Sequence, residues 1–154
     1  MTRWVHTVER RIAAPPDRIF ALVADPRRHR DIDGSGTVRD ATELPARLSL
    51  GDTFGMNMEY GGPYTMTSTV IELEDNRRIA WQSRPHRSSS KWRHIFGGRI
   101  WRYELEPAGD VTIVRESWDL TQERFRLLVW GYRRKTASNM TATLERIEHL
   151  ATSA

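Results

Sequence analysis

The sequence predicts an α+β domain in which one long C-terminal helix lies across an antiparallel sheet of about six or seven strands. Residues 122–151 carry apolar or small side chains at steps of three and four, which is the spacing of one helix face. Upstream segments alternate apolar and polar side chains, as half-buried strands do, and turn residues separate these segments. Two short helices are predicted after the first strand.

The C-terminal segment would form a helix roughly 45 Å long at about 1.5 Å per residue. Asp119 with Gln122, or Thr121 alone, can cap its start, and no proline interrupts it. Gly131 lies inside the segment and is interpreted as a kink, a close approach of a ligand or strand, or a tolerated surface position. The periodic side chains are Phe125, Val129, Tyr132, Thr136, Met140, Thr143, Leu144, Ile147 and Leu150.

The N-terminal part of the chain predicts one strand and two short helices. Residues 4–12 alternate loosely and predict the strand. Residues 13–17, which include a proline pair, end the strand and preset a first helical turn, and residues 18–23 after them predict a short amphipathic helix. An Asp-Pro pair breaks that helix and opens a second one at about residues 29–32.

Most of the remaining chain predicts strands joined by turns. Residues 53–60 alternate strictly, and the Gly-Gly-Pro run at residues 61–63 indicates a hairpin turn. Residues 85–98 are serine-rich and basic, and they predict a loop. The predicted strands after the two short helices lie at residues 37–42, 53–60, 64–74, 77–84, 99–106 and 111–120.

The composition indicates a single domain over residues 1–154, large enough for a hydrophobic core. Its 38% of hydrophobic and 29% of charged residues are typical of globular proteins. The chain has no cysteine, which excludes disulfides and thiolate metal sites. No apolar run approaches the ~18 residues of a membrane span, and the first residues do not resemble a signal peptide, so a cytoplasmic protein is expected.

The charge balance is modestly basic, with 24 lysines and arginines against 20 acidic residues and a net charge of +4. All the basic residues except Lys91 and Lys135 are arginines. Because these charges are spread along the chain and do not form a block, they indicate a solvated surface, and a nucleic-acid partner is not expected.

Three segments of the chain resemble the polyketide cyclase/dehydrase group of the START-like, or helix-grip (SRPBCC), superfamily. They are IAAPPDRIFALVADP at residues 12–26, FGGRIWRYELEP at residues 96–107 and MTATLERI at residues 140–147. The resemblance implies a curved antiparallel sheet that grips the last helix around an internal apolar cavity. It implies the activity much less specifically, because members include lipid carriers, hormone receptors and aromatases.

If the sheet grips the helix, the period of two along each strand selects the side chains that face the ligand pocket. The lining would be aromatic and rich in methionine, which suits flat or apolar ligands. The alternative is a filled core, in which the same large side chains occupy the space. The predicted pocket residues are Phe54, Met56, Met58, Met66, Ser68, Ile79, Trp81, Trp101, Tyr103, Val114, Glu116 and Trp118 from the strands, and Phe125, Val129, Tyr132 and Met140 from the helix.

Two charged residues share faces with apolar pocket residues. Arg10 shares a face with Val8 and Ile12, and Glu116 shares a face with Val114 and Trp118. In the superfamily's fold the first and last strands are neighbours. The two side chains could form an inward ion pair that fixes a polar group of a ligand or moves a proton. Alternatively, the pair seals one end of the barrel, or both side chains face water. Glu116, Arg10 and Tyr103 are the candidate catalytic residues if the protein is an enzyme.

The loop at residues 85–96 is a candidate lid. Its apolar side chains could cover the mouth of the cavity while its basic side chains meet an acidic head group or partner; the alternative is a mobile, solvated loop. The predicted lid residues are Trp92, Ile95 and Phe96, and the basic ones are Arg87, Lys91 and Arg93.

The histidines show no metal-ligand spacing and fall on no predicted pocket face, so no metal or cofactor is expected. Because the predicted cavity is dry and has few directed polar groups, the leading function is the binding or carriage of a hydrophobic small molecule such as a lipid, an isoprenoid or a polyketide-like aromatic. A polyketide aromatase/cyclase or dehydratase and a basic RNA- or ribosome-associated module are the alternatives. A monomer is the default, and a homodimer through Leu127, Leu128 and Trp130 stays open.

Overall fold

A computed structural model describes residues 3–42, 47–59, 62–87 and 91–153, without the side chains of residues 39–42. It contains seven strands and four α-helices within those ranges. The strands are β1 (Val5–Ile12), β2 (Val38–Thr42), β3 (Thr53–Glu59), β4 (Pro63–Glu74), β5 (Arg78–Pro85), β6 (Arg99–Ala108) and β7 (Val111–Asp119). The helices are α1 (Pro16–Val23), α2 (His29–Ile32), α3 (Arg126–Trp130) and α4 (Arg133–Thr152).

The strands form one antiparallel sheet in the order β1-β7-β6-β5-β4-β3-β2. The chain therefore runs through five consecutive hairpins from β2 to β7, and β1 pairs with β7 so that Val8 lies opposite Glu116. The register shifts by one residue between Val70 and Glu72 on β4, and such an irregularity increases local twist and bending. The predicted α+β architecture, with its sheet against the last helix and two short helices after β1, is confirmed.

The last helix packs against β1 and β7 and against α1 and α2. One end of the space between this helix and the sheet is filled: Phe20 of α1, Ile79 of β5 and Val114 of β7 lie in one core cluster with Leu144 and Ile147. A second cluster near the start of α4 contains Trp118, Leu120, Val129 and Met140.

The prediction of one continuous helix from residue 122 is wrong. A separate short helix, α3, precedes α4. The helical pattern is interrupted between them because the amides of Gly131 and Tyr132 donate hydrogen bonds to the carbonyl oxygens of Leu128 and Val129, three residues earlier and not four. The indole of Trp130 stacks on Trp118 at 6.0 Å, which holds α3 against the sheet.

The predicted helix caps are also wrong. Asp119 accepts hydrogen bonds from the amide and hydroxyl of Thr121 in a turn directly after β7, several residues before α3 begins.

Other parts of the predictions lie outside the described residues, namely Tyr60, Gly61 of the predicted hairpin turn and residues 88–90 of the predicted loop. In the described part of the chain, no helix combines the length and the apolar character that a membrane crossing needs.

Candidate ligand-binding cavity

A cavity of about 440 Å³ lies between the sheet and the first half of α4. This volume is within the range of small-molecule pockets. Eleven of the predicted pocket residues line the cavity, and most of them are aromatic residues or methionines. They are Phe54, Met56, Met58, Met66, Ser68, Trp81, Trp101, Tyr103, Glu116, Tyr132 and Met140.

Five predicted pocket residues lie elsewhere. Ile79 and Val114 face the helix but are covered by the first core cluster, because the C-terminal half of α4 fills that end. Trp118 and Val129 belong to the second cluster. The ring of Phe125 is half exposed on the protein surface. For these five residues the predicted place in the lining is wrong.

The sequence prediction omitted several residues of the lining. The alternation along the strands indicates Ser83 and Arg99, because each is two positions from a predicted lining residue on its strand. The helical spacing likewise indicates Thr136. The α2–β2 connection and the mouth gave no such signal. The lining residues that the prediction omitted are His29, Ile32, Asp33, Ser35, Thr37, Val38, Tyr64, Ser83, Pro85, Arg93, Arg99, Lys135, Thr136, Asn139 and Thr143, together with Phe96, which was predicted as lid.

His29 overturns the prediction that no histidine faces the pocket. Its ring is buried, stacks on Trp81 with centroids 4.9 Å apart and meets the edge of Phe54 at 5.5 Å. Its Nε2 lies 2.7 Å from the carbonyl oxygen of Val23. Because a carbonyl can only accept, Nε2 carries the proton and Nδ1 keeps a lone pair. Burial lowers the pKa of His29, which favours this neutral form.

Glu116 supplies a buried carboxyl group to the cavity wall. The phenol of Tyr103 donates a 2.9 Å hydrogen bond to its Oε1, whereas Oε2 is buried without a hydrogen-bond partner among the described residues. Burial raises the pKa of Glu116 to about 8, and the carboxylate of Asp33 acts in the same direction. The group is therefore mostly a neutral acid at pH 7, and a neutral carboxyl can donate a hydrogen bond to a ligand.

Arg10 does not pair with Glu116, so the predicted inward ion pair is wrong. Its guanidinium binds Glu148 of α4 at 2.9 Å and lies 3.9 Å from Glu145. Arg10 is opposite Val114, and not Glu116, in the β1–β7 register. The carboxylates within its reach are therefore the two that α4 supplies. Its place is therefore outside the cavity lining, on the filled end of the fold.

Two further polar features line the cavity. The hydroxyls of Ser68 and Ser83 bond to each other at 2.8 Å across β4 and β5, so both are satisfied within the wall. Asp33 accepts bonds from the amides of Ser35 and Val38, which orders the α2–β2 connection. These contacts explain why polar side chains are tolerated in this part of the wall.

The α2–β2 connection is anchored on α4 by Gly34. Its amide donates a 2.9 Å hydrogen bond to the hydroxyl of Thr143, and its α-carbon is so close to the helix that an added Cβ would lie 2.3 Å from the carbonyl oxygen of Asn139. Only glycine fits this approach.

The mouth of the cavity lies between the 91–98 segment and the start of α4. Of the predicted lid residues, Phe96 lines the cavity, whereas Trp92 is 78% exposed and Ile95 is more than one-third exposed. Glu123 fixes this segment because its buried carboxylate accepts bonds from the amide of Gly97 and from Nε of Arg99. Trp92 and Ile95 are therefore not among the lining residues, and their role as lid residues stays a prediction.

The described residues contain no group of three or more histidine, aspartate or glutamate side chains that could bind a metal ion together.

A family model described as "Polyketide cyclase / dehydrase and lipid transport" matches residues 3–152. The chain belongs to this family. Solved structures show the same fold at low identity: Ms6760 from Mycobacterium smegmatis superposes with a TM-score of 0.72 at 15% identity over 97% of this chain and 91% of that one. A START superfamily protein from the same organism gives a TM-score of 0.69 at 17% identity over 95% and 98% of the two chains.

A protein of Mycobacterium tuberculosis, Rv0088, is 42% identical over 110 residues, which are 70% of this chain. The matched stretch spans 44% of the length of that relative. The family and the helix-grip fold are therefore established for the chain.

Proposed function

We propose that this family member binds a hydrophobic small molecule, such as a lipid, an isoprenoid or a polyketide-like aromatic, in the cavity between the sheet and α4. The observation that carries the proposal is an open space of about 440 Å³ walled by aromatic and methionine side chains. Such surfaces bind apolar ligands through the hydrophobic effect and adapt to their shapes.

The ligand should also carry an oxygen atom. Oε2 of Glu116 is buried without a partner among the described residues, and burying an unsatisfied polar group costs about 1–3 kcal/mol. A carbonyl or hydroxyl oxygen of the ligand would accept a hydrogen bond from the neutral carboxyl and remove that penalty. A ligand carboxylate is disfavoured above pH 8, where Glu116 itself would be ionised.

The direct test is to fill the cavity. Thr136→Trp places an indole from α4 into the space, and Thr141→Trp adds the same group on the exposed side of the same helix. With the neutral fluorescent probe N-phenylnaphthylamine, we expect affinity about tenfold or more weaker for Thr136→Trp and unchanged for Thr141→Trp. Mass spectrometry of an organic extract of the purified protein would identify any molecule that co-purifies.

Equal probe affinity in the two variants would contradict the proposal. Circular dichroism and the free energy of unfolding of each variant show whether Thr136→Trp still folds. A less bulky filling variant, Thr136→Leu, should give an intermediate affinity.

The second candidate function is a polyketide cyclase or dehydratase, and His29 and Glu116 favour it. A neutral imidazole with a free lone pair can take a proton from a carbon between two carbonyl groups. A neutral carboxyl can give a proton to the oxygen of the carbonyl that this carbon attacks. In an intramolecular aldol reaction one C–C bond then forms while the C–H bond and the carbonyl π bond break, and a hydroxyl results. On dehydration the hydroxyl takes the proton held by the imidazolium and leaves as water, and the carboxylate of Glu116 takes a second proton from the attacking carbon, so that both groups return to their starting forms.

The carrier and enzyme hypotheses are distinguished by comparing the wild type with Glu116→Gln. The assay is the turnover of a linear poly-β-keto thioester, measured by the absorbance of the aromatic product. An enzyme would lose most turnover, by 10²–10⁴-fold for a general acid, while N-phenylnaphthylamine still binds. A carrier would show no turnover with either protein.

A further inference from the structure

The surface around the cavity mouth exposes several large apolar side chains that have no covering element among the described residues. We call this surface, formed by residues 91–96 and 124–135, the mouth surface. Leu127 is 76% and Leu128 is 53% exposed on α3. They point away from the protein because Val129 and Trp130, on the other side of the same short helix, pack into the second core cluster. The other exposed apolar side chains are Trp92, Ile95, Phe125 and Tyr132.

The mouth surface is continuous with the cavity wall. Phe96 and Tyr132 line the cavity, and the ring of Phe96 meets that of Phe125 at 5.9 Å. An apolar molecule could therefore pass from the outer surface to the cavity along a path of aromatic side chains. Contiguous exposed apolar surface of this kind marks interaction sites in folded proteins.

The charge of the mouth surface has one sign. Neither residues 76–103 nor residues 124–144 contain an acidic residue. The guanidinium hydrogen bonds described for Arg124, Arg126 and Arg133 end on backbone carbonyl oxygens. Their positive charges are therefore not neutralised by carboxylates within the described chain, and they are available to an anionic partner.

We infer that the mouth surface docks on an anionic lipid bilayer, from which the cavity takes up or to which it releases its ligand. Leu127 and Leu128 would enter the headgroup region while the arginines around them meet lipid phosphates, as in other interfacial amphipathic segments. A second copy of the chain would bring the same positive charge and be repelled. A nucleic-acid backbone would match the charges but not the exposed leucines.

The first test is co-sedimentation of the whole protein with vesicles of phosphatidylglycerol and phosphatidylcholine, against vesicles of phosphatidylcholine alone. Leu127→Glu and Leu128→Glu should each weaken binding to the anionic vesicles about tenfold or more. Leu50→Glu is the matched control, because the exposure of Leu50, 63%, lies between those of the two leucines and the 47–52 loop that carries it does not line the cavity. This control should bind like the wild type.

The second test removes charge. Replacing Arg133 and Arg134 together by glutamine should lower vesicle affinity by roughly fivefold per arginine, and raising the salt concentration should weaken wild-type binding. The control replaces Arg11 and Arg77, which are exposed at the filled end of the fold, by glutamine. The control should retain vesicle binding.

Four results would overturn the inference. They are no binding to anionic vesicles at low salt, equal loss of binding in Leu50→Glu, binding to a nucleic-acid oligomer through the same residues, or a dimer that Leu128→Glu dissociates. Binding of N-phenylnaphthylamine in lipid-free solution separates this inference from the proposed function. Vesicle binding without probe binding would refute the cavity function alone, and probe binding without vesicle binding would refute the docking surface alone.

Discussion

Tyr103 of β6 lies directly opposite Glu116 of β7, and its phenol donates a 2.9 Å hydrogen bond to one oxygen of that buried carboxyl group. This bond occupies Oε1, and Oε2 is the oxygen that has no hydrogen-bond partner among the described residues. Burial raises the pKa of Tyr103 well above its ordinary value, which keeps the phenol protonated as the donor. Two neutral, hydrogen-bonded groups thus lie side by side in the cavity wall.

The first prediction concerns the stability of the protein against pH. The pKa of Glu116 rises from 4.5 in the unfolded chain to about 8 in the folded protein, so the folded protein binds more protons between these values. Its free energy of unfolding should therefore decrease as the pH rises from about 4.5 to about 8. Glu116→Gln resembles the neutral acid and should remove this dependence, which urea unfolding at several pH values measures.

The relevant quantity is the difference between wild type and variant, because other groups titrate equally in both. Relative to Glu116→Gln, the wild type should lose a few kcal/mol over this pH range, since one pKa unit is about 1.4 kcal/mol. Glu74→Gln is the control, as Glu74 is exposed on β4. A pH-independent difference between wild type and Glu116→Gln would show that the carboxyl is ionised in the folded protein.

The second prediction concerns the contact between Gly34 and α4. A Cβ at this position would lie 2.3 Å from the carbonyl oxygen of Asn139 and 2.5 Å from the amide nitrogen of Thr143. Both are backbone atoms of α4, so a change of side-chain rotamer cannot relieve the clash. Gly34→Ala should therefore lower the free energy of unfolding by more than about 3 kcal/mol, measured by urea unfolding.

Gly109→Ala is the control for that substitution. Gly109 has φ +67° in the β6–β7 turn with open space around it, so alanine there meets only backbone strain of about 1–2 kcal/mol. Equal destabilisation by the two variants would mean that the α2–β2 connection can move away from α4.

The third prediction concerns the anchor of the mouth segment. The buried carboxylate of Glu123 binds Gly97 and Arg99, so Glu123→Ala leaves a buried amide and a partly buried guanidinium without partners. The free energy of unfolding should fall by about 3 kcal/mol, and amide hydrogen exchange should quicken in residues 91–98. Glu106→Ala breaks an exposed pair with Arg115 and should change both quantities little.

Strand periodicity was sufficient to predict which side of the sheet faces the helix. Trp81, Trp101 and Tyr103 line the cavity as their alternation indicates, because antiparallel pairing keeps each strand's faces aligned. The extent of the cavity along a strand was not predictable in this way. Ile79 and Val114 share the same side, but α4 crosses the sheet so that its C-terminal half covers them, and no local pattern specifies that crossing.

Arg10 and Glu116 illustrate the same limit for polar groups. Each was assigned to the side of the sheet that faces the helix, but Arg10 lies opposite Val114 and Glu116 opposite Val8. The nearer carboxylate for Arg10 comes from α4, more than a hundred residues away in the chain. Partner choice thus depends on the tertiary approach of a helix, which the strand pattern does not contain.

The fourth prediction follows from the role of Arg10 as a surface ion pair. Because the pair with Glu148 lies outside the cavity lining, Arg10→Gln should change neither the affinity for N-phenylnaphthylamine nor any turnover. A loss of probe affinity as large as that of Thr136→Trp would contradict this prediction and would show that Arg10 contributes to the ligand site.

The last prediction concerns His29, whose position no sequence pattern indicated. His29→Phe keeps a ring between Trp81 and Phe54 but leaves the carbonyl of Val23 without its donor, so the free energy of unfolding should fall by about 1–3 kcal/mol at pH 7.

Burial lowers the pKa of His29 below 6.5, so the unfolded chain gains a proton first as the pH falls. The wild type should therefore lose stability relative to the variant below about pH 6.5, and urea unfolding at pH 5 and pH 8 checks this. A difference that grows towards acid pH would mean that the folded protein holds the imidazolium, which would exclude His29 as the base in the cyclase mechanism.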